Sequence, residues 1–251
     1  LGMTELARAR PDGYTLGMGT VSTLAVLPQA STVTTNYDPL HAFAPIGQIS
    51  AAPFLVVVAG KHGARDLPEL IAQARRQPGR LNFASVGDGS VVHYAGERFG
   101  AAAGARLTHI PYQNVSRAKL DLEADRIDVM FDQLATFPMA SIEAGTYRVL
   151  AIMSSRRHPG LPAVPTTAEA GVEGAEMAVW SGLLAPAGTP ADIVDQLNRA
   201  LCSVLDSPGV RRAFQQLGVD VAAGSPAAFE RVIQDEHERW GYAIRQTGLL
   251  R

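Results

Sequence analysis

The residues best placed to do chemistry are Ser90 and His93, three apart, just behind the glycines of the run LNFASVGDGSVVHYAGERF at 81–99. A serine beside an imidazole is the start of a nucleophile–base pair. Yet there is no G-x-S-x-G elbow, the mark of a large class of serine hydrolases. Ser90 also has a simpler use as a helix N-cap, which needs no third partner. The same run offers a second chemistry. Leu81, Phe83 and Ala84 read as the end of a buried strand, Gly87-Asp88-Gly89 as a tight turn, and Val91 to about Ala103 as a helix. Backbone N–H groups around Ser85, Gly87, Gly89 and Ser90, with the positive end of the helix dipole, then suit an anion. An ordinary strand-to-helix connection would use the same residues, and both readings stand at this point.

Other reaction centres are not visible. The six histidines, at 41, 62, 93, 109, 158 and 237, are scattered, and none has HExxH or other metal-ligand spacing. No metal and no cofactor are expected. There is no Walker A loop, and Val86–Gly89 is too short for a dinucleotide fingerprint. Asp235, Glu236 and Glu238 read as a solvated helix face. A single cysteine, Cys202, sits in a helical run with Val194, Leu197, Leu201 and Leu205, and reads as a buried structural thiol. The residues favour binding over catalysis.

The elements that must position this run are those of a globular chain. Of 251 residues, 47% are hydrophobic and 18% charged, enough for one large domain or two moderate ones. A net charge of −2 gives no basic surplus for nucleic acid or an anionic membrane. No apolar run reaches the roughly 18 residues of a spanning helix.

Strands are expected at Tyr14–Gly19, Ala44–Ser50, Phe54–Val58, Leu107–Pro111, Ile127–Phe131, Arg148–Met153 and Val179–Ala185. Helices are expected at 1–10, at Leu67–Gln77 with Asp66 as cap, at Ser116–Ala124 and at Phe137–Ala144. Three more are expected, from Thr189-Pro190 to about Leu205, at Pro208–Leu217 and at Pro226–Thr247. The alternation, over connections too long for hairpins, predicts an α/β class with parallel sheets. Residues 156–174 read as a long loop with a short helix at Thr167–Ala170.

Several stretches, taken in order, resemble one family. They are PDGYTL at 11–16, YDP at 37–39, LPELIAQARRQPGRLNFASVGDGSVVH at 67–93, HIPY at 109–112 and DVMFD at 128–132. LPAVPTTAEAG at 161–171, WSGLLAPAGTP at 180–190 and E-x-x-x-W at 236–240 complete the set. The chain is identified by these as similar to the Bug family of extracytoplasmic solute receptors, which serve tripartite tricarboxylate transporters.

The resemblance implies a type II periplasmic-binding-protein fold, with two α/β domains joined by crossing strands at about Ile49–Val58 and Ala178–Ala185. Domain 1 would be residues 1–51 plus 178–251, and domain 2 residues 52–177. It implies a monomer in the periplasm that binds a small carboxylate or amino acid and partners the membrane subunits of its transporter. Ser85, Gly87, Gly89, Ser90 and His93 match the cradle of the second domain. Thr20, Ser22, Asp132 and Trp180 match positions expected to face the ligand. Trp180 has an equal claim as hinge packing, and Asp132 as a cap. His93, near a helix start, is expected to be pushed toward neutral.

Three departures carry expectations. After Tyr112 the family usually shows Lys-Gly, where this chain has Gln113-Asn114. Asp88 adds a negative charge beside the cradle, which favours an amino acid or a neutral-tailed acid over a simple dicarboxylate. The family also opens with a signal peptide, then a strand and a Gly-Gly…Asp loop, whereas LGMTELARAR resembles the second helix. The expectation is an N-terminally truncated chain that lacks the first strand–helix unit of domain 1 and folds poorly alone. Besides transport, a sensor signalling to a membrane partner and a hydrolase using Ser90 and His93 stay open.

Overall fold

The computed structural model describes residues 2–29, 35–61 and 64–247, so His62 lies outside the described residues. The chain divides into two compact units. One consists of the residues up to Ala51 together with those from Val179 onward, and the other is Ala52–Ala178.

In the first unit, α1 (Gly2–Arg8) buries Met3 and Leu6. It leads to β1 (Gly17–Thr20). A Cβ at Gly17 would stand 2.6 Å from Leu6 Cδ2, so the Leu6 side chain packs against bare backbone there. A π-helical turn at Ser22–Val26 and a 3-10 turn at Leu27–Gln29 follow. Neither was foreseen: their apolar residues, Leu24 and Ala25, are fully buried but lack a helical or strand period long enough to read.

Next comes β2 (Phe43–Ala59), one strand of 17 residues where the sequence suggested two. The gap between the two includes Pro53, which has no N–H to give a ladder. Its ladder partners change there instead. Ser50 and Ala51 pair with a later short strand at 220–221, and Phe54 onward pairs in the second unit.

The second unit continues with α2 (Leu67–Arg76), β3 (Asn82–Ser85), α3 (Val91–Ala103), β4 (Thr108–Pro111), α4 (Val115–Glu123), β5 (Val129–Gln133), α5 (Met139–Glu143) and β6 (Tyr147–Met153). Asp66 caps α2, its carboxylate accepting the Glu69 N–H at 2.9 Å. The sheet runs β6-β2-β5-β3-β4, with β3 parallel to β4 and β5. The expectation of wholly parallel pairing fails at β2, which is antiparallel to both β5 and β6. Long connections through helices separate β2 from β5 and from β6, and a connection of that length permits either strand direction. Residues Phe54 to Ala59 are at most 1% exposed, as befits a central strand covered on both faces.

The chain then returns to the first unit with β7 (Ala178–Pro186), α6 (Ala191–Asp206), α7 (Pro208–Gln216), β8 (Asp220–Val221) and α8 (Pro226–Thr247). There β7 lies between β1 and β2, and β1 runs antiparallel to it with Thr20 opposite Ser181. Smaller expectations also change. Residues 167–170 form a turn rather than a helix, tied by the bridge from Thr166 to Ile152. Thr189 does not cap α6, because its hydroxyl donates to the Pro186 carbonyl at 2.8 Å. Cys202 is half-buried, 3.9 Å from Asn198 Oδ1.

One close approach sets where α3 sits. A Cβ on Gly96 would stand 2.2 Å from the ring of Phe83, which is 0% exposed on β3. Gly96→Ala is therefore expected to destabilise the protein by about 1–3 kcal/mol through overpacking. Urea unfolding checks this as a lower midpoint at unchanged slope. A midpoint equal to that of the wild type would show that the helix can move off the ring freely.

Candidate functional site

Strands β4, β3 and β5 are parallel neighbours, and in such sheets ligands meet the carboxyl ends of strands. Strand β3 ends at Ser85, which is 2% exposed. Its hydroxyl accepts the Gly87 N–H at 3.1 Å and lies 2.6 Å from His109 Nε2. The chain then turns through Gly87 at φ +120° and Gly89 at φ +73°, backbone states that side chains resist. Ser90 caps α3 by accepting the His93 N–H at 3.1 Å. The first N–H groups of α3, those of Val91 and Val92, have no carbonyl one turn back in the helix to bond. Together with the dipole of a 13-residue helix they make an anion-facing surface.

Ser85, Gly87, Gly89, Ser90 and His93 are thus brought together. The nucleophile–base reading of Ser90 and His93 finds no support in their bonds. Ser90 serves the His93 backbone, while His93 Nδ1 accepts the Gly89 N–H at 3.2 Å.

The fold adds a residue that sequence spacing did not select. His109, on β4, is paired in register with Phe83 on β3. Its ring stacks on that of His93, with centroids 3.6 Å apart and 11° between planes. Asp88 approaches from solvent, its Oδ1 3.4 Å from His109 Nδ1 and 4.0 Å from His93 Nδ1. Glu97 lies one turn along α3, 3.8 Å from His93 Nε2. The available signal was the histidine of HIPY, His109, on a strand that parallel pairing sets beside β3.

Burial, more than any other cause, holds His93 below the usual histidine range. Charge on His109 adds to this, and Glu97 and Asp88 oppose it. The expected direction was right, but desolvation leads where the helix end had been invoked. His109 is lowered by burial too, against Asp88.

Because both folded values lie below the unfolded value near 6.5, the unfolded chain takes up protons first as the pH falls. The pair's contribution to stability is therefore full above about pH 6.5 and is lost as pH drops through the folded values. Replacing His109 by Asn is expected to reduce the loss in urea midpoint between about pH 7.5 and pH 5.5. An equal loss in wild type and variant would contradict it.

The other candidates are placed as follows. Asp132, near the carboxyl end of β5, is 7% exposed. Burial pushes its carboxyl up, offset by hydrogen bonds from the Gln133 N–H and the Thr136 side chain and by the charge of Lys119. In the first unit, Thr20 and Thr23 bond reciprocally through their hydroxyls and N–H groups at 2.9–3.3 Å. Ser22 opens the π-helical turn, half-buried. Trp180 is 5% exposed and packs edge-on against Phe229 at 5.7 Å. Its indole N–H has no hydrogen-bond partner among the described residues. A cavity of about 790 Å³ in this unit lies along α1 and β1; Thr23 lines it, whereas Thr20, Ser22 and Trp180 do not. Asn114, which stands where the resembling family has glycine, caps α4 by accepting the Arg117 N–H at 2.9 Å.

Comparison with known proteins places this arrangement. The model of the tripartite tricarboxylate transporter family receptor matches residues 1–249. Protein BugT of Bordetella pertussis is 31% identical over 248 residues, which cover 99% of this chain and 76% of BugT. The structure of Rhodopseudomonas palustris Rpa4515 with adipate has a TM-score of 0.76 at 32% identity, covering 98% of this chain and 82% of that one. MatC from the same organism, with bound malate, gives 0.72 at 29% identity, covering 97% and 83%. The chain belongs to the tripartite tricarboxylate transporter receptor family, a family of solute-binding receptors and not of enzymes.

Proposed function

We propose that this protein is a periplasmic receptor that captures a small organic carboxylate and presents it, as a monomer, to the membrane subunits of a tripartite tricarboxylate transporter. The observation that carries the proposal is the Ser85–Ser90 turn at the start of α3. The N–H groups of Gly87, Gly89 and Ser90 are spent within the turn, which leaves those of Val91 and Val92 and the positive end of the α3 dipole at its capped start, where a carboxylate is the natural occupant. Family membership supports it, as do the adipate and malate held by two structural neighbours.

Asp88 refines the ligand class. Its side chain is 82% exposed beside the turn, so a second negative charge on the ligand is disfavoured. An acid with one carboxylate and a neutral or ammonium tail suits the cradle better than citrate. Calorimetric titration of the chelator-dialysed protein with adipate, malate, citrate, glutamate and aspartate tests both levels. No heat with any carboxylate would overturn the receptor reading, and tightest binding to citrate would overturn the refinement.

Removing the charge gives a directed check. One unit charge about 4 Å away is worth about 1 kcal/mol in water. Asp88→Asn is therefore expected to tighten malate binding roughly fivefold under metal-free conditions. Weaker malate binding in that variant would mean Asp88 helps hold the ligand.

A further inference from the structure

The structure assigns Asp88, His93 and His109 to a binding site for a divalent transition-metal cation of the zinc class, formed within the second unit at the mouth of the cradle. One oxygen and two imidazole nitrogens lie within 4.8 Å of one another. Ligand atoms of a tetrahedral zinc site stand about 3.3 Å apart. The His109 Nδ1 to Asp88 Oδ1 distance, 3.4 Å, already matches that edge. The His93 Nδ1 to Asp88 Oδ1 distance, 4.0 Å, closes with a small turn of an exposed carboxylate.

The contacts at both Nε2 atoms fit ligation through Nδ1, although His93 Nδ1 now accepts the Gly89 N–H. A metal-bound imidazole normally gives its other N–H to an oxygen that fixes its tautomer. His109 Nε2 has the Ser85 hydroxyl at 2.6 Å, and His93 Nε2 faces Glu97 Oε1 at 3.8 Å. Both rings are thus oriented with Nδ1 toward the exposed aspartate. Two imidazoles with one carboxylate select zinc, copper or nickel over calcium or magnesium, which prefer all-oxygen shells.

The stacked pair must change to accept the ion. A metal lies in the plane of each ring it binds, and rings 11° from parallel cannot both meet that condition. One ring must turn, and the Gly89 N–H must leave His93 Nδ1. A bound cation would neutralise Asp88 and offer its remaining positions to a carboxylate oxygen. That consequence rests on the receptor reading, whereas the metal site does not.

Zinc chloride is titrated calorimetrically into the full chain after chelator dialysis, with no carboxylate present. The expected result is one equivalent bound, lost in His109→Asn and weakened more than about tenfold in Asp88→Asn, because losing a direct ligand costs at least what losing an outer partner of one does. Nitrogen-15 NMR of the histidines should show both Nδ1 resonances of 93 and 109 moving on zinc addition. Absence of binding up to millimolar zinc would overturn the site. So would zinc binding that is unchanged in Asp88→Asn, a substitution at an exposed position that leaves the core intact. The result is independent of whether adipate or malate binds, so failure of the metal site and failure of the receptor reading are told apart. Asp88→Asn is also expected to act in opposite directions on zinc and on malate.

Discussion

One buried ring carries the geometry of the second unit's site. Phe83, 0% exposed on β3, lies 6.1 Å from the His93 ring, 5.1 Å from His109 and 5.7 Å from Phe131. It also fills the space that a side chain at Gly96 would need. Burying such a ring contributes about 1.5–3 kcal/mol, and each well-placed aromatic contact about 0.5–1.5 kcal/mol more. The larger effect is positional. Phe83 ties α3, β4 and β5 to one point, and so fixes where the start of α3 and the two imidazoles stand. The helix end is useful to an anion only because it is held at the carboxyl end of β3.

What could be read in the sequence was whatever depends on neighbours in the chain. Asp66 and Ser90 cap helices three residues ahead of the N–H groups they serve. Gly87 and Gly89 mark backbone that few other residues adopt. Helix α8 begins and ends where its pattern said, at Pro226 and Thr247. What could not be read depends on distant pairing. The strands expected at Ala44–Ser50 and Phe54–Val58 are one, because β2 exchanges partners between Ala51 and Phe54 and runs on. The His93–His109 stack joins residues sixteen apart through the register of β3 on β4, and no spacing rule carries that information.

The electrostatics of the cradle rest on dipoles rather than ions. The resembling family's lysine after Tyr112 is replaced by Gln113, and Asn114 is occupied in capping α4. Lys119 turns elsewhere, donating to the Thr136 carbonyl at 2.8 Å and lying over the Phe137 and Tyr147 rings. Burial pushes the Asp132 carboxyl up, against the Gln133 and Thr136 hydrogen bonds and the charge of Lys119.

A site built this way gains selectivity from direction more than from charge. Backbone N–H groups at a helix start cannot swing to follow a ligand, as a lysine can. They reward a carboxylate that arrives in one orientation and give little to one that does not. On the proposed reading, Asp88 then acts on what is attached to that carboxylate. As the exposed charge on the turn, it disfavours a second anion, while the two imidazoles behind it are held neutral and add no opposing charge. The same three side chains can change that balance only by taking up a positive charge of their own. Whether the turn meets the ligand as a bare dipole or as a charged site therefore depends on what Asp88, His93 and His109 hold between them.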